Sequence, residues 1–200
     1  MNARVIPVLT ASSADEAERA CLALAAGGLT TVEITFRTDA AADAIRRTAA
    51  IEGLVIGAGT VLSEEQLAAA LDAGAQFAIA PGTNPLVVEA ARRAGVTFVP
   101  GAATPSEIEQ ARDLGCTIVK LFPASLLGGP AFVKAVAAVY RDVRFVPTGG
   151  VSLENLDEYL ALPAVFACAG TWICEPALLR EGRYDEIERR AREASALVPA

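Results

Sequence analysis

Short apolar runs rich in β-branched residues alternate with alanine-rich stretches from one end of this chain to the other, at about one pair per 25 residues. The runs have strand length and the stretches between them have helix length, so the pattern specifies repeated βα units around a parallel sheet. Eight strands are expected: Val5 to Leu9, Thr31 to Thr35, Val55 to Gly57, Phe77 to Ala80, Thr97 to Val99, Thr117 to Phe122, Arg144 to Pro147 and Val165 to Ala169. Helices fill the gaps between them. Ser13-x-x-Glu16, Ser63-x-x-Gln66 and Thr104-Pro105-x-Glu107 are expected capping boxes, in which a hydroxyl and a reaching side chain satisfy orphan amides at a helix start. Eight consecutive units without a large insertion predict an α/β chain folded as one (β/α)8 barrel over residues 1–200, at the short end of the size range of that fold. A doubly wound open sheet is the alternative. It needs a Gly-x-Gly-x-x-Gly turn after the first strand, where Pro7-Val8-Leu9-Thr10-Ala11 stands instead.

Composition agrees with one well-cored domain, since 53% of the residues are apolar and only 20% are charged. No apolar stretch reaches the ~18 residues that span a bilayer, and the N-terminal residues lack the pattern of a signal peptide, so a cytoplasmic protein is expected. A net charge of −7 argues against nucleic acid or an anionic membrane as partner. An anionic ligand must therefore be held locally, by a few arginines or by backbone amides. The four cysteines, Cys21, Cys116, Cys168 and Cys174, have no Cys-x-x-Cys spacing and lie in apolar segments, which reads as small hydrophobes rather than a disulfide framework or a metal site.

The chain contains no histidine. Triad hydrolases and His-ligated metal enzymes are thereby excluded, and acid, base and nucleophile must come from carboxylates, lysine, hydroxyls, thiols or water. Lys120 then stands out, because it lies inside the apolar run Thr117-Ile118-Val119-Lys120-Leu121-Phe122-Pro123 and the chain has only one other lysine, Lys134. Burial favours a neutral amine, and a neutral amine forms Schiff bases with carbonyl substrates. The competing reading is a lysine whose stem packs while its head reaches water.

In a barrel the C-terminal ends of the strands form the active face, so polar residues there are weighed together. Glu33, Thr35 and Arg37 share a face by period two, and that face is expected to look into the same cavity as Lys120. The third strand ends in Gly57-Ala58-Gly59-Thr60, small residues that let backbone approach a ligand, and the fourth in Ala80-Pro81-Gly82-Thr83. The seventh ends in Pro147-Thr148-Gly149-Gly150 and the eighth in Ala169-Gly170-Thr171-Trp172. Glycine-rich turns after these last two strands are where barrels commonly hold phosphate through oriented amides.

With Glu33 and Arg37, Gly57-Ala58-Gly59-Thr60, Val119-Lys120-Leu121-Phe122-Pro123-Ala124 and Pro147-Thr148-Gly149-Gly150 in place, the chain resembles the 2-keto-3-deoxy-6-phosphogluconate (KDPG) aldolases and the 4-hydroxy-2-oxoglutarate (KHG) aldolases. The resemblance runs from about Val5 to the final helix. It implies a homotrimeric (β/α)8 barrel, a class I aldolase that needs no metal or other cofactor, and a phosphorylated 2-keto acid as substrate. It further implies Lys120 as the Schiff-base lysine and Glu33 as general acid and base. Arg37 and Thr60 would hold the pyruvyl carboxylate, with Pro81 lining the same pocket. Thr148, Gly149, Gly150 and Thr171 would hold the phosphate, Thr171 standing where many members have serine and Ala169-Gly170 where two glycines are common. Glu33-Ile34-Thr35-Phe36-Arg37-Thr38 looks more like the phosphogluconate branch than the phosphogalactonate aldolases, which usually lack this arginine. Two rival readings keep the barrel: a phosphosugar isomerase, epimerase or synthase in which Lys120 acts only electrostatically, and a non-catalytic phosphometabolite-binding barrel.

Overall fold

The computed structural model describes residues 3–198. In chain order the elements are β1 (Val5–Leu9), α1 (Ala14–Ala26), β2 (Thr31–Thr35), α2 (Ala41–Ala49), β3 (Val55–Gly59), α3 (Glu64–Asp72), β4 (Phe77–Ile79), α4 (Pro85–Arg93), β5 (Thr97–Val99), β6 (Gly101–Ala102), α5 (Pro105–Asp113), β7 (Ile118–Leu121), α6 (Gly129–Val139), β8 (Arg144–Pro147), α7 (Leu156–Leu160), β9 (Cys168–Gly170), α8 (Pro176–Arg180) and α9 (Tyr184–Ala196). The strands β5-β4-β3-β2-β1-β9 form one parallel sheet and β6-β7-β8 a second.

These sheets are two arcs of one barrel. The segments β5 and β6 are halves of a single stave interrupted at Pro100, which has no amide to give to a ladder; its carbonyl still accepts from the Lys120 amide at 2.8 Å. On the far side, parallel bridges Phe145↔Val165 and Thr148↔Ala169 join β8 to the β9 stave. Eight staves therefore close on themselves, as the βα count predicts. The eighth is shorter and later than its sequence suggests, running as a regular strand only over Cys168–Gly170.

Period two sorts every stave into an outer and an inner row. Val5, Leu9, Val32, Ile34, Val119, Leu121 and Phe145 face outward and pack under the helices. Ile6, Val8, Phe77, Ile79, Val99, Val146, Ala167 and Ala169 face inward and fill the barrel axis. The inner row of β2 departs from this chemistry with Thr31, Glu33 and Thr35, and that of β7 with Lys120, all of them buried.

Helix starts follow the predicted hydroxyls with one difference. Thr104 forms the full capping box with Glu107. Ser13 and Ser63 do cap α1 and α3, but their partner side chains reach one residue further back, Glu16 to the Ser12 amide and Gln66 to the Leu62 amide. In these two helices the reciprocal bond thus spans four residues, and it ties the strand-to-helix loop rather than the cap itself. No helix among the described residues is long and apolar enough to cross a membrane.

Candidate active site

Lys120 and Glu33 come from opposite arcs of the barrel and meet on its axis. Lys120 pairs in register with Gly101 and Val146, and Glu33 with Val8 and Gly57. The Lys120 Nζ donates to Glu33 Oε1 at 3.4 Å, with Lys120 3% exposed and Glu33 fully buried. A lysine reaching for water is therefore not what the fold builds. The other carboxylate oxygen, Glu33 Oε2, is buried and has no hydrogen-bond partner among the described residues. An unpaired buried acceptor costs on the order of 1–3 kcal/mol, so this arrangement is kept at the expense of stability. The centre of the Phe122 ring, one residue beyond β7, lies 5.7 Å from Lys120 Nζ.

The glycines of β3 have a different role from the one expected of them. A Cβ on Gly59 would lie 2.2 Å from Glu33 Oε1, and a Cβ on Gly57 would lie 2.1 Å from the Phe77 ring. Gly59 hollows the wall so that the Glu33 side chain can turn toward Lys120. Gly57 makes room for the Phe77 ring. Neighbouring side chains, rather than a ligand, take up the space.

Arg37 also differs from its expectation. Strand β2 ends at Thr35, so the alternation that carries Glu33 and Thr35 inward stops two residues short of Arg37, which sits exposed on the rim. Its Nε donates to Thr60 Oγ1 at 3.2 Å, and the two terminal nitrogens of the guanidinium make no hydrogen bond among the described residues. Thr60 adopts φ +57°, a left-handed conformation that costs a β-branched residue roughly 1–2 kcal/mol. The hydroxyl that meets Arg37 is thus held by strained backbone. Pro81 follows β4, and its carbonyl lies so close to Gly101 that a Cβ there would sit 2.1 Å away. Gly101 is the register partner of Lys120, so Pro81 packs against the stave next to the lysine's own.

Across the mouth, the turn after β8 presents amides inward because its carbonyls are tied outward. Thr148 O accepts from the Ala124 amide at 2.8 Å, Gly149 O from the Ser125 amide at 3.0 Å, and Gly150 O from Asn155 Nδ2 at 2.9 Å. Gly149 and Gly150 have φ of +90° and +79°, which only glycine adopts without strain. Among the described residues, no acceptor meets the amides of Gly150 or Val151, whereas that of Gly149 faces Ala169 across the bridge between Thr148 and Ala169. Consecutive amides without acceptors form an anion cradle that requires no basic side chain. Thr148 is buried and turns its hydroxyl to the Val146 carbonyl, 3.3 Å away, while Thr171 at the end of β9 is exposed beside the turn.

The sequence reading missed Thr10 as a contributor to the mouth. It stands at the end of β1 and its hydroxyl shares a 2.8 Å hydrogen bond with that of Thr35. Its place at a strand's C-terminal end was the available signal. Thiols add no rival nucleophile. Burial pushes Cys21 and Cys168 up to about 12 and raises Cys116 and Cys174 as well, so all four stay protonated near neutral pH. Lys134 lies exposed on α6, as expected of an ordinary surface lysine.

A family model described as KDPG and KHG aldolase matches residues 1–190. The 2-dehydro-3-deoxy-phosphogluconate aldolase of Treponema pallidum is 44% identical over 199 residues, covering 98% of this chain and 93% of that protein. Among solved structures, the 2-keto-3-deoxy-6-phosphogluconate aldolase of Zymomonas mobilis with 3-phosphoglycerate superposes with a TM-score of 0.93 at 35% identity, covering 100% of this chain and 94% of the other. The KDPG aldolase of Legionella pneumophila, with pyruvate captured at low pH as a covalent carbinolamine intermediate, gives a TM-score of 0.92 at 33% identity, covering 99% and 95%.

Proposed function

The chain belongs to the KDPG and KHG aldolase family, and on that premise we propose that Lys120 is the imine-forming nucleophile and Glu33 its proton-transfer partner. The enzyme is a class I aldolase that cleaves 2-dehydro-3-deoxy-6-phosphogluconate to pyruvate and glyceraldehyde 3-phosphate. The observation that carries the residue assignment is the buried contact of Lys120 with Glu33 on the barrel axis, with one carboxylate oxygen left unpartnered.

The neutral Lys120 amine adds to the C2 ketone to give a carbinolamine, and loss of water gives a protonated imine. The imine draws the C3–C4 bonding electrons toward nitrogen. Glu33, directly or through a water, takes the proton of the C4 hydroxyl as that bond breaks, and the aldehyde leaves. The enamine is then protonated at C3, and water releases pyruvate from the lysine. Arg37 with Thr60 holds the substrate carboxylate as a bidentate pair, and Pro81 borders the pyruvyl group. The turn at Gly149 and Gly150, with Thr148 and Thr171, takes the phosphate. Cleavage of 4-hydroxy-2-oxoglutarate to pyruvate and glyoxylate belongs to the same reading, since both acids share the pyruvyl half on which the lysine acts. Residues 1–200 serve as one catalytic domain, and the active form is a homotrimer in the cytoplasm.

Incubation with 2-dehydro-3-deoxy-6-phosphogluconate should release pyruvate and glyceraldehyde 3-phosphate in equal amounts, at a rate unchanged by a metal chelator. A chelator-sensitive rate would point to metal-assisted enolate chemistry in place of the lysine.

A further inference from the structure

The segment between β9 and α8 carries Thr171, yet the fold gives it little backbone support. Among the described residues, residues 171–174 donate no backbone–backbone hydrogen bond. The buried side chains of Ile173 and Cys174 anchor its far end in the core, and two side-chain contacts hold the part nearer Thr171. The Trp172 indole covers Gly170 so closely that a Cβ there would lie 2.5 Å from the ring. From α9, Arg190 Nη1 donates to the Trp172 carbonyl at 2.6 Å. The guanidinium is itself fixed by Glu186, at 2.8 Å from Nε, and by Glu175, at 3.3 Å from Nη1. Arg189 and Arg190 together hold the Glu186 carboxyl down to about 2, so this anchor stays charged at any pH at which the enzyme works. A cleft of about 320 Å³ lies beside this tie, bordered by Ser152, Glu154, Trp172, Glu175 and Arg190.

We propose that Arg190 is a positioning residue for the phosphate end of the substrate, holding Thr171 beside the Gly149–Gly150 turn through the Trp172 carbonyl. The inference rests on the phosphate reading of that turn. Arg190 touches no reacting atom, so its loss should weaken the hold on the phosphate and leave the chemistry at Lys120 alone. A plain structural role would instead reduce the active fraction and lower kcat on every substrate alike.

The test compares Arg190→Ala, Arg190→Lys and a control, Arg192→Ala, whose arginine on the same helix pairs only with Glu188. Each is assayed on the phosphorylated acid and on 2-keto-3-deoxygluconate, the same acid without phosphate, with inorganic phosphate as competitor. For Arg190→Ala, KM for the phosphorylated acid and Ki for phosphate should both rise about tenfold, the factor that corresponds to ~1.4 kcal/mol. KM for the unphosphorylated acid and both kcat values should stay within about twofold, a change under ~0.5 kcal/mol. Arg190→Lys, which keeps a cation for Glu186 and Glu175, should fall between, and it carries the test if the alanine variant fails to fold. Equal losses on both substrates, or no change in either KM, would overturn the proposal. So would an unaltered parent enzyme that shows no preference for the phosphorylated acid. In that case pyruvate trapping on Lys120 tells whether the aldolase reading has failed too or only the phosphate assignment.

Discussion

The apolar and the polar members of the barrel's inward-facing row are neighbours, yet they have opposite chemistry. Ile6, Val8, Phe77, Ile79, Val99 and Val146 put apolar atoms on the axis. Glu33, Thr35, Lys120 and Thr148 share that interior, and all four are buried. Lys120 is the register partner of Val146, and Glu33 that of Val8. The apolar set gains free energy from burial, roughly 1.5–3 kcal/mol for each large side chain. The polar set takes ionisable groups out of water with a single hydrogen bond between Lys120 and Glu33, which costs stability unless the groups are needed. Which stave a residue stands on therefore decides what it is for, and β2 and β7 are where this fold accepts the expense.

The comparison can be broken most severely at its polar centre. Lys120→Arg should abolish turnover while leaving the melting temperature close to that of the parent, because a guanidinium stays protonated and forms no imine. Lys134→Arg should keep nearly full activity, and retained activity in the first variant would remove the mechanism. In the apolar set the reverse is expected. Phe77→Ala should cost about 3–5 kcal/mol in denaturant unfolding, since the ring fills the hollow beside Gly57 that only a glycine leaves. A loss below ~1 kcal/mol would mean that the axis is not packed as described.

Glu33→Gln should slow turnover by around 10²-fold or more yet still allow imine formation, since the amide cannot take the C4 proton. An unchanged rate would refute its role. Replacing the buried pair at once, Lys120→Met with Glu33→Leu, makes these positions resemble their apolar register neighbours Val146 and Val8. Such exchanges of buried ion pairs stabilise by about 1–4 kcal/mol in favourable cases, and here a gain should accompany complete loss of activity. Destabilisation of the double variant would show that the pair supports the fold. The smallest effect is expected at the rim. Thr60→Gly removes left-handed strain and should stabilise by on the order of 0.5–1 kcal/mol net, while KM for the keto acid rises because Arg37 loses its hydroxyl partner. A stability loss would place the strain elsewhere.

Much of this was legible in the sequence because it is written in local periodicity. The strands Val5–Leu9, Thr31–Thr35, Thr97–Val99 and Arg144–Pro147 coincide with their predicted spans. Alternation along β2 put Glu33 on one face with Thr35, and the apolar run around Lys120 singled that residue out; the two meet inside the barrel. Features that depend on partners remote in sequence were not legible. Gly57 and Gly59 are explained by Phe77 and Glu33, neither of which their own segment reveals. The exposed rim position of Arg37 follows from where β2 stops pairing with β3, and period two cannot say where a strand ends. The tie from Arg190 to the Trp172 carbonyl looks in sequence like one more arginine on a charged helix. Caps lie between these cases: the accepting hydroxyls of Ser13 and Ser63 were identifiable, but the four-residue reach of Glu16 and Gln66 depends on loop geometry.

The most direct measurement is borohydride reduction in the presence of pyruvate, followed by intact mass and peptide mapping. A reduced pyruvyl adduct confined to the peptide bearing Lys120, absent from Lys120→Arg and undiminished in Lys134→Arg, is the predicted result. Well-folded protein that acquires no adduct, or acquires it on another residue, would contradict the account and return Lys120 to an electrostatic role.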